Sequence, residues 1–275
     1  MSLPPDVHLF RIAYSPETLA AIEPEYAVLD NLANARPDWY EYWPIRQHLA
    51  ANVLDENAFY GFFSPKFGHK TMRSHADVVR FVQAAAPRAD VVLFSPQPDM
   101  AAFFLNVFEQ AELFDPGLNA AFEEFLALIG RPVSLGPLVM DSRQIVFSNY
   151  FVARPPFWRA WSAMADALFD VCEGPPSPLQ QALTMPTSYP GAAQRKVFLS
   201  ERIAPLLLTL EPEWRSVAAD PYNMSWSTSR FREYSHEAVI SDALKIAFRD
   251  QGFPEFLQAF GKVREHFAAR RPPLS

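Results

Sequence analysis

Phe59-Tyr60-Gly61-Phe62-Phe63-Ser64-Pro65-Lys66-Phe67-Gly68-His69-Lys70-Thr71 is the stretch on which the reading of the fold turns. Its first five residues are apolar, with no polar alternation. That pattern predicts a short strand covered on both faces, at the centre of a sheet. Ser64-Pro65 then stops the strand. Ser64, Lys66 and Lys70 therefore sit just past its carboxyl end.

Upstream, Val7 to Tyr14 reads as a first buried strand, and Ser15-Pro16-Glu17 caps a short helix with Pro at its first position. Asp38 to Leu54 carries Trp39, Tyr42, Trp43, Leu49 and Val53 at helical spacing. Downstream, Ser74 caps a helix that runs through Val78, Val79 and Val82 to Ala86, and Asp90 to Phe94 is the next strand. This order, β-α-α-β-α-β, predicts an α/β fold: a mostly parallel open sheet flanked by helices. Helices are expected at about 101–114 and 117–129, broken at Asp115-Pro116-Gly117. Gln144 to Phe147 and Tyr150 to Ala153 are expected to form a strand region. Pro155 or Pro156 opens a long helix through Trp158, Trp161, Met164, Leu168 and Val171. Residues 174–193 read as a surface loop. Helices follow at about 195–210, 233–250 and 254–269, the last with Phe256, Leu257, Phe260 and Phe267 on one stripe. The expected division is an α/β domain over residues 1–212 and a helical extension over 213–275, packed on it.

The chain has 275 residues, 49% of them hydrophobic, enough for a large core. A single cysteine, Cys172, allows no internal disulfide and no cysteine-built zinc site. The net charge of −7 argues against nucleic acid as the main partner. No apolar run approaches the length of a spanning helix, and the amino-terminal residues lack the pattern of a signal peptide, so a cytoplasmic protein is expected. From Lys245 onward six basic residues (Lys245, Arg249, Lys262, Arg264, Arg270, Arg271) face three acidic ones (Asp250, Glu255, Glu265). That basic tail reads either as a solvated helix face or as a weak contact with the inner membrane surface or a partner.

Several chemistries find no motif. With 9 glycines, the chain has neither GxGxxG nor a P-loop. GxSxG, HExxH and a DxD pair are also missing, so dependence on a divalent metal is not expected. Polar clusters at positions suited to the carboxyl edge of a sheet remain. They are Asn34, Arg36 and Glu41; Ser64, Lys66 and Lys70; Glu109 with Gln110; Asp141 with Arg143; Ser148, Asn149 and Tyr150; and Lys196 to Arg202. Each has a plain structural reading as a solvated lysine, a surface glutamate or an internal ion pair. Together they suit a ligand with a diphosphate, sugar hydroxyls and a base.

The order of these elements resembles the bacterial polysaccharide glycosyltransferases of capsule and O-antigen gene clusters, which are GT-A-like enzymes. The matching features are Asn34; Glu41-Tyr42-Trp43; the strand from Gly61 to Lys66 and Phe67; Asp90 to Pro96; Glu109-Gln110; Asn149-Tyr150-Phe151; and Phe198 to Arg202. The resemblance spans about residues 7–210. Where the family has a His-Tyr-Arg-Arg turn, this chain has Phe63-Ser64-Pro65-Lys66. The resemblance implies a hexosyltransferase that uses a nucleotide-sugar donor and a surface-glycan acceptor. Asn34 and Arg36 would touch the nucleotide, and Lys66 and Lys70 the leaving diphosphate. Glu109 or Asp141 would be the base, with Glu41, Ser64, Asn149 and Arg202 also lining the donor site. The replaced turn keeps a second expectation open, a relative without activity that binds a glycan or a partner protein.

Overall fold

The computed structural model describes residues 4–189, 191 and 193–269; the side chains of residues 266–269 lie outside that set. The first half runs β1 (Val7–Ala13), α1 (Pro16–Ala20), β2 (Ala27–Asp30), α2 (Tyr42–Ala51), β3 (Phe59–Phe63), α3 (Phe67–Thr71), α4 (His75–Ala85) and β4 (Val91–Leu93). Next come α5 (Pro98–Ala102), α6 (Val107–Phe114), α7 (Leu118–Leu128), β5 (Phe151–Ala153) and α8 (Pro155–Glu173). The chain continues with α9 (Pro178–Thr184), α10 (Arg195–Leu210), β6 (Ser216–Ala218), α11 (Ser235–Gln251) and α12 (Pro254–Ala269).

Among the described residues one six-stranded sheet forms, in the order β2-β1-β3-β5-β4-β6. β1 pairs in parallel with β2 and β3, and β4 with β6. β5 alone runs antiparallel, between β3 and β4. The fold is therefore α/β, an open and mostly parallel sheet flanked by helices. Every residue of β3 is buried, as its unbroken apolar run requires. A Cβ on Gly61 would lie 2.9 Å from Val152 Cγ2 and 3.1 Å from Leu9 Cδ2, so only glycine lets both neighbouring strands close on β3. Helix starts follow local chemistry. Ser15 with Thr18 and Ser74 with Asp77 form capping boxes, and Asn106 accepts from the backbone N–H groups of Phe108 and Glu109.

Several expectations need correction. Residues 144–147 are not a strand: the N–H groups of Gln144 and Ile145 turn back onto the Asp141 carbonyl. Ile145 and Val146 are buried all the same, because an apolar pair fills a core from a turn as well as from a ladder. The helix expected at 101–114 is two, since Asn106 caps a new start. Residues 174–193 contain α9, capped by Ser177 and opened by Pro178. The helix expected from Asp38 begins only at Tyr42, after a 3-10 turn at Pro37–Trp39 and a left-handed Tyr40 with φ 46°. The short edge strands β2 and β6 carry too little pattern to have been expected, and β6 extends the sheet past residue 212.

Helices α11 and α12 pack on this unit. Phe260 is buried, Phe256 and Leu257 are half-buried, and the side chain of Phe267 lies outside the described residues. The basic tail turns largely inward. Lys245 donates to the carbonyls of Ala101 and Phe104, Arg249 to that of Val139, and Arg264 to the Glu109 carboxylate. Lys262 is exposed, and Arg270 and Arg271 lie outside the described residues. Among the described residues no helix is long and apolar enough to cross a membrane.

Candidate functional site at the carboxyl edge of the sheet

Because β5 is antiparallel, its beginning lies at the same edge as the ends of β1, β3 and β4. Tyr14 follows β1, Ser64 follows β3, and Ser148-Asn149-Tyr150 lead into β5. Arg11 on β1 is buried, and it donates to the carbonyls of Ser64 and Pro65 at 3.0 and 3.3 Å. Those bonds set the turn that delivers Lys66. Phe67 stacks on Phe63 with ring centroids 3.7 Å apart and meets Tyr150 edge-on at 5.0 Å. This packing fixes α3, and with it Lys70.

Four elements then converge. Lys70 Nζ donates to the Ser148 hydroxyl at 3.2 Å and lies 5.7 Å from the centroid of the Tyr150 ring. The Ser148 N–H donates to Glu201 Oε2 at 3.3 Å, which brings in α10. The hydroxyls of Ser64 and Tyr150 share a hydrogen bond of 2.7 Å. Glu41, at the N-cap of α2, makes no side-chain capping bond. Burial, then the nearby Glu201, pushes its carboxyl up to about 7, against the pull of Lys70 and Lys66. Burial also raises Glu201, while Arg202 and Lys70 oppose the rise. Both residues are half-buried overall although their carboxyl groups are deeply set, so they stand in a recess of the sheet edge. Lys66 is exposed at its rim.

The backbone here is held in unfavourable conformations. Ser148 and Asn149 are consecutive left-handed residues, with φ of 57° and 52°. Such residues cost on the order of 1–3 kcal/mol each and persist only where their surroundings impose them. The bonds from Lys70 and Glu201 to Ser148 supply that constraint.

The structure thus brings Glu41, Ser64, Lys66, Lys70 and Asn149 together. Asn34 stands apart from these contacts, on the loop after β2. It is left-handed with φ 39° and accepts from Asn31 at 3.3 Å. Arg36 is held by Asp38 and Glu173 and lies over the rings of Trp43 and Phe169. Lys196 shares both carboxylates and lies 4.4 Å from the centroid of the Trp39 ring, so this network ties the turn before α2 to α8 and α10.

Three more of the expected residues lie away from the recess. Arg202 is buried against α6, donating to the Val107 carbonyl and Gln110, and burial pushes it down to about 10. Its neighbour Glu201 faces the recess instead. Glu109 accepts from the Leu105 N–H in the first turn of α6 and pairs with Arg264 of α12 at 2.6 Å. Asp141 is fully buried and is gripped by Arg143 through its backbone N–H and through Nε and Nη2 of its guanidinium, with Arg249 at 3.6 Å. Both carboxylates act on Lys245, beneath the C-terminal helices. Their charges are consumed in docking those helices, and neither is placed to serve as a base in the recess.

Tyr14 stands out in the structure but not in the sequence reading, and Glu201 entered that reading only through the Lys196 to Arg202 cluster, as the partner of Arg202. The available signal for Tyr14 was a polar-tipped residue directly past the carboxyl end of a strand. The signal there was the Glu201-Arg202 pair, and the residue carried into the site was the wrong one of the two, because adjacent helical residues point about 100° apart and sequence does not say which one faces the sheet edge.

No family model matches the chain, and no curated protein does. Among solved structures, the apo form of the bifunctional glycosyltransferase WbbM is similar over 78% of this chain and 44% of that one, at 13% identity and a TM-score of 0.43. The chain therefore spans less than half the length of that protein.

Proposed function

We propose that the protein moves a sugar from a nucleotide-sugar donor to a hydroxyl of a glycan acceptor, as a hexosyltransferase whose site is the recess at the sheet edge. One observation carries the reading: the carboxyl edge of the sheet gathers two deeply set carboxyls, Glu41 and Glu201, with Lys70 bonded to the Ser148 that also meets Glu201 and with Lys66 beside them, and burial pushes the Glu41 carboxyl up to about 7. The family resemblance of the sequence and the open α/β sheet agree with it. Glu41 in its ionised form takes the proton of the acceptor hydroxyl. The acceptor oxygen bonds to the anomeric carbon as the bond from that carbon to the diphosphate oxygen breaks. Negative charge grows on the departing nucleoside diphosphate, where Lys66 and Lys70 stabilise it.

The test is binding followed by turnover. Wild-type protein titrated with UDP, GDP, UDP-glucose, UDP-galactose and GDP-mannose should bind at least one diphosphate. Lys66→Ala should weaken that binding about tenfold or more, as expected for a charge-assisted contact, and leave free-sugar binding unchanged. Glu41→Gln should keep binding and lose transfer. If no diphosphate binds, the reading is overturned. Binding without any transfer would favour the alternative, an inactive glycan-binding relative.

A further inference from the structure

β6 runs parallel to β4, so the chain leaves it at the carboxyl edge of the sheet. Residues 219–234 then form a strap that leads to α11. The Ser225 N–H donates to the Lys70 carbonyl and its hydroxyl to the His69 carbonyl, each at 3.0 Å. The Gln97 N–H donates to the Ser225 carbonyl at 2.7 Å. Asp99 is fully buried and accepts from the N–H and hydroxyl of Ser227 and from the Ser229 hydroxyl. The strap is therefore fastened to α5 and to α3, the helix that presents Lys70 to the recess.

Beyond this fastening, the strap and the start of α11 form a groove. Tyr222, Trp226, Arg232, Ser235, His236 and Val239 line an open cavity of about 580 Å³, within the size range of ligand sites. The polar tips of its two aromatic residues are engaged by the protein. Trp226 Nε1 donates to the Tyr222 carbonyl at 3.3 Å, and the Tyr222 hydroxyl to the Ala238 carbonyl at 3.4 Å. Both rings pack on a small core of Ala102, Phe103, Phe104 and Ala238, and both residues are only half-buried while lining the groove. None of the six lining residues is acidic. Arg232 is exposed and, among the described residues, pairs with no carboxylate, unlike Arg36, Arg143 and Arg264.

We propose that this groove holds an anionic segment of the acceptor glycan, with a sugar ring against the Trp226 indole and the carboxylate of a uronic acid on Arg232. The C–H face of a pyranose is slightly positive and suits the negative face of an aromatic ring. A guanidinium grips a carboxylate through two parallel hydrogen bonds. An acidic peptide would satisfy Arg232 but offers the indole no matching flat C–H surface. The proposal rests on the transferase reading and names the class of its acceptor. Contacts far from the reacting hydroxyl then hold the glycan beside α3.

The experiment is calorimetry on the full chain without nucleotide, titrated with tetragalacturonate, neutral maltotetraose and tetraglutamate. The wild type should bind tetragalacturonate more tightly than either of the others. Arg232→Ala, at an exposed position, should weaken tetragalacturonate about tenfold or more, as for a charge-assisted contact, and leave maltotetraose unchanged. Trp226→Leu keeps an apolar side chain on the small core and should weaken both oligosaccharides. UDP and GDP should bind both variants as they bind the wild type. Absence of tetragalacturonate binding in the wild type, or binding that neither substitution changes, overturns the groove and leaves the transferase reading standing. Tetraglutamate bound as tightly as tetragalacturonate, with no loss in Trp226→Leu, overturns it in favour of an acidic peptide. Groove binding in a protein that binds no diphosphate overturns the transferase reading alone, and the groove stands as a glycan site.

Discussion

The Ser148 N–H donates to Glu201 Oε2 at 3.3 Å, joining a left-handed loop before β5 to a helix that begins 47 residues later in the chain, at Arg195. This bond and the one from Lys70 hold a strained turn at the edge of the recess. Glu201→Ala should release that turn. Amide exchange at Ser148 and Asn149 should speed up, and sugar-nucleotide affinity should fall. Glu201→Gln keeps an acceptor and should retain protection. It should also lower the titration midpoint of Glu41, because the like charge that lifts it is removed.

Glu41 should make stability depend on pH. Its carboxyl is raised in the folded state, from 4.5 to about 7. The unfolded chain therefore ionises first, and stability falls as pH climbs from about 4.5 towards 7. Above 7 both states are ionised and the loss levels off. Glu41→Gln removes this component. Its melting temperature should match wild type at pH 4, exceed it increasingly up to pH 7 and run parallel beyond. If Glu41 is the base, the rate of sugar transfer in the wild type should rise with pH to a plateau, with a midpoint about 7. A variant that gains nothing at pH 8 would place Glu41 in open solvent.

Asp141 and Glu109 should separate stability from binding. Asp141→Ala leaves the guanidinium of Arg143 without its buried partner and should cost about 3 kcal/mol in urea denaturation. Glu109→Gln loosens a partly exposed pair with Arg264 and should cost under about 1 kcal/mol. Neither should alter sugar-nucleotide affinity once the protein is folded. A large loss of affinity in folded Asp141→Ala would return that carboxylate to the site.

Phe260 anchors α12. Its ring is buried, with Lys245 Nζ 5.9 Å and Arg264 Cζ 5.3 Å from its centroid. Phe260→Ala should destabilise the protein by about 3 kcal/mol, the usual result of emptying a buried aromatic site. Protease should then cut first within residues 252–269. Phe253→Ala, at a position 55% exposed, should change stability by under about 0.5 kcal/mol.

What the sequence determined by itself was local. The apolar runs at Phe62 and Val92 specify strands buried on both faces, and the run at Leu9 a strand buried towards its carboxyl end. The caps at Ser15 and Ser74 start helices because their side chains reach N–H groups only three residues away. The lysines after β3 were legible for the same reason, since a strand followed by a turn places them at the carboxyl edge. The tertiary structure decided which charged groups meet. Glu41, Lys70, Ser148 and Glu201 come from four elements, and Glu109 and Asp141, equally suited by residue type, are drawn into ion pairs under α11 and α12 instead. Periodicity records which face of an element is apolar. It holds no information on which distant arginine will neutralise a carboxylate, because that is settled by packing between elements far apart in the chain.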